Sequence, residues 1–328
     1  MRIAAYELAG AQRLGLLDSH AGRHVIRPLP AGIAVLDLLA AGKSGRRAAE
    51  AAATAPPVRL SDVRLLPPLH PPSMRDFVSF EAHVEGVTRV MEGREGVPDA
   101  WYEQPTFLFM NPHSVIGGHD QVPVPAGCTL LDYELEVAAV IGRDGRDLTP
   151  AQAAEHIAGY TILNDWSARD LQAREQRMGL GPAKGKDFAS TLGPCIVTAD
   201  ELAPYQRDDR LDLEMTVLVN SVEMGRDRLA NMAWSFGELV AYASRSAWVR
   251  AGDVIASGTC ATGALAEAWG RSGRREPPPL APGDVVTMTV EGIGTIRNEV
   301  VSGPDEACPI PRARRRQDDR QSDQGWPP

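Results

Sequence analysis

The segment Leu131-Asp132-Tyr133-Glu134-Leu135-Glu136 carries an acid at every second position. Alternate residues of a strand share a face. The spacing therefore sets Asp132, Glu134 and Glu136 on one side and Tyr133, Leu135 and Val137 on the other. Three adjacent carboxylates repel one another unless positive charge lies among them. A hard cation with oxygen ligands meets that need; a face open to water is the alternative. Asp165 ends an apolar run at 159–164 and precedes a helical segment, a junction where side chains emerge into a cleft. On that helix Arg169 and Gln172 are three apart and share a face.

Other residues add to this set. The loop from Gly181 to Asp187 is one residue short of the phosphate-loop pattern GxxxxGK, and Asp187 stands where a Ser or Thr would hold Mg²⁺. It reads instead as a turn that places Lys186. Upstream, Asp76 and His83 are seven apart, two turns if the segment is a helix. Gly258-Thr259-Cys260 and the stretch from Gly263 to Glu267 read as Gly-rich chain after a strand, which lets backbone approach a ligand.

Positioning these groups falls to short β-like runs with a few helices between them. Runs at 106–110, 131–141, 159–164, 211–219, 254–257, 285–290 and 295–301 read as strands. Residues 211–217 alternate with period two, so one face is wet. Helices are expected at 150–156, with Thr149 as N-cap and Pro150 first, at 167–177, and at 235–244 behind Ser235. This is an α+β plan, predominantly β, without the regular alternation of a doubly wound sheet. Residues 1–70 read as a small N-terminal α/β domain, with a strand at 1–8 and one helix at 33–53. Proline-dense connectors follow at 55–57 and 67–72. A catalytic domain is expected at 71–305, with a loop at 270–283. The polar tail 306–328, with Arg312, Arg314, Arg315 and Arg316, lacks apolar residues to bury and is expected to be disordered.

The chain has 328 residues, 43% of them hydrophobic, which suffices for a sizeable core. A net charge of −9 argues against nucleic acid or anionic membrane as a partner. No run approaches the ~20 apolar residues of a membrane span. Residues 1–7 hold no signal-peptide core, so a cytoplasmic setting is expected. Cys128, Cys195, Cys260 and Cys308 show neither CxxC nor zinc-site spacing and are expected to be buried free thiols.

Five pieces, taken in order, resemble the fumarylacetoacetate hydrolase family. They are Leu131-Asp132-Tyr133-Glu134-Leu135-Glu136, Asn164-Asp165-Trp166-Ser167-Ala168-Arg169-Asp170-Leu171-Gln172, Gly185-Lys186-Asp187-Phe188, Ser257-Gly258-Thr259 and Glu291-Gly292-Ile293-Gly294-Thr295-Ile296-Arg297-Asn298. The resemblance implies a rolled, mixed β-sheet around a divalent ion (Mg²⁺, Mn²⁺ or Ca²⁺) and a homodimer. It makes Glu134, Glu136 and Asp165 metal ligands, with Asp76 a fourth as in the longer members, and leaves Asp132 a structural role. His83 becomes the general base. Glu267 matches the acid that orients it in the longer members, with Glu85 in reserve. Smaller members place a glutamate three residues after the histidine, where this chain has Gly86. Arg169, Gln172, Lys186 and Thr259 are implied to hold the substrate and its developing negative charge. Two departures touch the pocket rim. The segment 259–267 is shorter than in the eukaryotic hydrolases, and one more residue separates Gln172 from Lys186.

The activity implied is hydrolysis of a C–C bond in a 1,3-diketo or acylpyruvate-type acid through a metal-bound enolate. The same parts would serve a lyase or isomerase that decarboxylates, hydrates or tautomerises a 2-oxo acid. A non-catalytic binding protein on the same fold is a third reading. The joint presence of His83, Glu134, Glu136, Asp165, Lys186 and Glu267 argues against it.

Overall fold

Strand Leu135–Ile141 runs through the middle of the protein, and all seven of its residues are buried. Its neighbour Ile157–Asp165 is buried along all nine. Strands covered on both faces are near-continuous apolar runs. Leu135, Val137, Ala139 and Ile141 enter one core, and Ala138 and Val140 a second. The computed structural model to which these strands belong describes residues 1–20, 23–92 and 95–313.

The two strands lie within a twelve-stranded mixed sheet. Beyond Leu135–Ile141 come Val254–Ala256, Met74–Phe77 and the edge strand Phe107–Met110. Beyond Ile157–Asp165 comes Ser190–Thr198, followed by Arg2–Leu8, Ala11–His20, Arg23–Pro28 and Val58–Arg59. The N-terminal strands thus extend the sheet, with Arg2 opposite Val197 and Ile3 opposite Ile196. A five-stranded sheet runs in the order Val222–Arg228, Glu214–Val219, Val285–Val290, Gly294–Val301 and Val122–Pro123. Its Met215, Val217, Met288 and Ile296 share the first core with Val137 and Ile162. The α+β, mostly β plan read from the sequence is the one that forms.

Two helices start where their caps predict. Thr149 accepts from the amide of Gln152, whose side chain returns the bond, ahead of helix Pro150–His156. Ser235 and Glu238 do the same for Phe236–Ala243. Glu214–Val219 alternates buried and half-buried residues.

Other expectations are corrected. The helix at 33–53 is two, Val35–Ala40 and Gly42–Ala52, broken where Gly42 takes a left-handed φ of 61°. The strand at 131–141 is also two, Leu131–Asp132 and Leu135–Ile141, because the first piece pairs with Ser167–Ala168 in a separate ladder. The following helix is therefore shorter, Arg169–Gln176. The Gly-rich stretch before residue 270 contains a helix, Leu265–Ser272, which also takes the first residues of the expected loop at 270–283. Cys195 and Cys260 are buried free thiols, but Cys128 is half-buried and Cys308 exposed, so neither follows the expectation. Residues 306–313 are exposed and form neither helix nor strand. The rest of the polar tail, 314–328, lies outside the described residues. Among those described, no helix is long and apolar enough to cross a membrane.

Candidate metal and catalytic site

Three strands of the twelve-stranded sheet, and the residue just ahead of one of them, deliver four acids to one place. Asp76 lies on Met74–Phe77, Glu136 on Leu135–Ile141, and Asp165 ends Ile157–Asp165. Glu134 sits in the gap before Leu135, where its amide donates to Asn164 Oδ1 at 3.0 Å. Each of the four offers a carboxylate oxygen within 4.8 Å of the others. Asp132 is not among them, so the single acidic face read from the sequence does not form. Arg169 holds Asp132 through Nε at 2.9 Å and Nη2 at 2.7 Å. The same carboxylate accepts the amides of Leu265 and Ala266 at 2.8 and 3.0 Å, filling donors that open helix Leu265–Ser272.

All four acids of the cluster are buried. Burial pushes Asp76 up to about 6 against the pull of Lys186. It pushes Asp165 well above the usual carboxylate range, again against Lys186. Burial drives Glu136 well up too, and the charges of Asp76, Glu134 and Asp165 add to it. Glu134 goes the other way: burial would raise it, but Lys186, Arg169 and His83 together hold it well below the usual range. Asp76 Oδ1, Glu136 Oε2 and Asp165 Oδ1 are buried without a hydrogen-bond partner. Such orphaned oxygens are costly. An all-oxygen, acid-rich donor set short of positive charge fits a hard divalent cation.

Two cations adjoin the cluster. Lys186 Nζ donates to both Glu134 and Asp165. Arg169 Nη2 lies 2.7 Å from Glu134 Oε1, and its Nη1 donates to Gln172 Oε1 at 3.2 Å. Burial opposes the charge on Lys186, but Asp165 and Glu134 outweigh it and keep the ammonium protonated. Lys186 is delivered by a turn tied to helix Arg169–Gln176, whose Glu175 accepts the amides of Ala183 and Gly185. Thr259 Oγ1 donates to Glu136 Oε1 at 3.3 Å.

His83 rises from helix Glu81–Glu92 and is buried. Its Nδ1 meets Glu267 Oε1 at 2.9 Å, and its Nε2 lies 3.9 Å from Glu134 Oε1. Glu85 is exposed, so the choice between Glu267 and Glu85 falls to Glu267. Glu267 in turn accepts from the amide of Thr262 at 2.8 Å and from Arg271 at 3.2 Å. The structure thus brings together Asp76, His83, Glu134, Glu136, Asp165, Arg169, Gln172, Lys186, Thr259 and Glu267. Sequence reasoning missed Asn164 as a support for Glu134 and Asp132 as a remote cap. The run Leu265-Ala266-Glu267-Ala268, rich in helix formers, was the available signal for the helix that Asp132 caps.

The profile of the fumarylacetoacetate (FAA) hydrolase C-terminal domain matches residues 73–301, more than half the chain. An oxaloacetate tautomerase of Bacillus subtilis is 32% identical over 242 residues, covering 74% of each protein. A human mitochondrial oxaloacetate tautomerase is 34% identical over 191 residues, 57% of this chain and 56% of that one. The solved fumarylacetoacetate hydrolase of Exiguobacterium antarcticum superposes with a TM-score of 0.70 at 30% identity, over 92% of this chain and 99% of that one. A sheet of this order with four acids at its centre, matched along most of its length, places the chain in the fumarylacetoacetate hydrolase family.

Proposed function

We propose that the chain hydrolyses a C–C bond in a 1,3-diketo or acylpyruvate-type acid, with Mg²⁺ as cofactor and Mn²⁺ or Ca²⁺ as alternatives. The observation that carries this reading is the buried pair of His83 and Glu267, with the second ring nitrogen turned to the acidic cluster. A carboxylate at Nδ1 accepts a proton bond, so the neutral ring presents a lone pair at Nε2. A divalent ion on Asp76, Glu134, Glu136 and Asp165 would supply Lewis-acid polarisation of two substrate oxygens. His83 takes a proton from water, and the hydroxide formed adds to the substrate carbonyl. The C–C bond then breaks, one fragment leaving as a carboxylic acid and the other as an enolate. His83 returns the proton to the enolate carbon. Lys186, Arg169, Gln172 and Thr259 donate hydrogen bonds where negative charge develops. On the strength of the resemblance, the ligand is a small oxo or diketo acid and the assembly a homodimer, which sedimentation would read.

Keto–enol tautomerisation is the second reading, favoured by the likeness to two oxaloacetate tautomerases. There His83 would take a proton from carbon, with the C–H bond broken and an O–H bond formed, and no C–C bond would break. Acetopyruvate and oxaloacetate, each incubated with the Mg²⁺-loaded protein, separate the two. Hydrolysis yields pyruvate and acetate in equal amounts. Faster keto–enol relaxation of oxaloacetate with no cleavage of acetopyruvate would make the protein a tautomerase. His83→Ala is expected to keep the metal and lose hydrolysis by ~10²-fold or more.

A further inference from the structure

A second cavity lies beside the acidic site. It encloses about 520 Å³, an ordinary size for a small-molecule pocket. Of the residues gathered at the acidic site it shares Arg169 alone. Helix Glu81–Glu92 contributes Arg89, and helix Leu265–Ser272 contributes Trp269. Arg274 and Arg275 come from the turn that follows, after Gly273 ends the helix with a φ of 66°. The two helices that carry His83 and Glu267 therefore also wall this cleft.

Its charge is lopsided. The acid in its wall, Asp170, already accepts from Thr129 N at 2.7 Å, Thr129 Oγ1 at 2.8 Å and Leu171 N at 3.0 Å. Arg169 is matched by Asp132 and Glu134. Arg89 has Glu95 at 3.4 Å in an exposed pair, which screening makes weak. Arg274 and Arg275 form no ion pair with any described residue. A concave, arginine-lined surface concentrates anions, and guanidinium groups suit the two oxygens of a carboxylate. Trp269, largely buried, gives the cleft an apolar wall for a carbon chain.

We propose that this cleft is a carboxylate-binding site, with Arg274 and Arg275 on the carboxylate and Trp269 against the carbon body. Two sources share that chemistry. One is the second carboxylate of a diacid substrate whose other end lies at the acidic cluster; this source rests on the hydrolase reading above. The other is a free dicarboxylate, which does not.

The test is calorimetric titration of succinate into the full-length protein with Mg²⁺ and saturating oxalate, which chelates the ion and closes the first site to the probe. One succinate per chain is expected to bind. Arg274→Ala/Arg275→Ala is expected to weaken it by at least ~10-fold, about 1.4 kcal/mol, with oxalate affinity unchanged. If the substrate supplies the carboxylate, the double variant raises KM for a diacid acylpyruvate and leaves that for acetopyruvate alone. If a free acid supplies it, succinate alters acetopyruvate turnover in the parent and not in the variant. Equal succinate affinity in parent and variant, or no succinate binding while oxalate still binds, overturns the proposal. Failure of the hydrolase reading would show instead as no acylpyruvate cleavage, with the titration unaffected.

Discussion

Glu136 faces three other acids, with Thr259 as a donor and no lysine or arginine in ion-pair reach among the described residues. Glu136→Gln replaces a carboxyl group that burial pushes toward its protonated form with a permanently neutral side chain, and removes a proposed metal ligand. The variant is expected to melt higher than the parent in EDTA. It should also bind Mg²⁺ more weakly, by at least the ~10–100-fold that even outer-shell partners contribute. Thermal melts and metal titration read the two effects. The pH dependence follows from the same groups. Asp76 is raised from 3.8 to about 6, and Glu136 and Asp165 are raised as well. The folded chain without an ion thus holds protons that the unfolded chain has released. The stability from Asp76 is complete below about 4 and is lost as pH rises through about 6, and Glu136 and Asp165, raised by burial, act in the same sense. Glu134, held low, works in the opposite sense only below the usual carboxylate range. The melting temperature in EDTA should fall between about pH 5 and about pH 7, while Mg²⁺ affinity rises, since binding needs ionised ligands. A melting temperature that climbs over that interval would refute this account. The alternating acids of 131–136 were legible because strand period is local. The loss of Asp132 to Arg169 was not, because it depends on a ladder to Ser167 that no local pattern announces.

At the scale of elements, the contact between helices Glu81–Glu92 and Leu265–Ser272 turns on Gly86. A Cβ at that position would lie 3.1 Å from Glu267 Cγ and 3.3 Å from its Cα. Gly86→Val should therefore push the helices apart and loosen His83 from Glu267. A cost of about 1–3 kcal/mol in stability is expected from overpacking, with turnover lost and Mg²⁺ binding retained. Turnover as high as the parent's would show that the pair tolerates the shift. Helices with reciprocal caps, at Thr149 and Ser235, were readable because cap and capped amide are three residues apart. Helix Leu265–Ser272 offered only a short run of helix formers and no side-chain cap of its own. Glycines 263, 270 and 273 crowd its ends, and the acid that satisfies its first amides lies 133 residues away in sequence.

For the whole molecule, the mostly-β architecture was readable from short strands and from the family motifs. The join between Arg2–Leu8 and Ser190–Thr198 was not, since strand period says which face is buried and not which strand is adjacent. At the other end, residues 306–313 are exposed, with Ile310 at 88%. Deleting residues 310–328 should leave the melting temperature unchanged within error; a drop of several degrees would show that the segment packs. The acidic cluster draws on strands Met74–Phe77, Leu135–Ile141 and Ile157–Asp165, with Val254–Ala256 between the first two. Like charges from such distant stretches meet only once the ladder between them has closed, and long-range pairing is slow. Electrostatic resistance therefore falls at the end of refolding rather than its start. Divalent cations should accelerate the final kinetic phase and leave early collapse untouched.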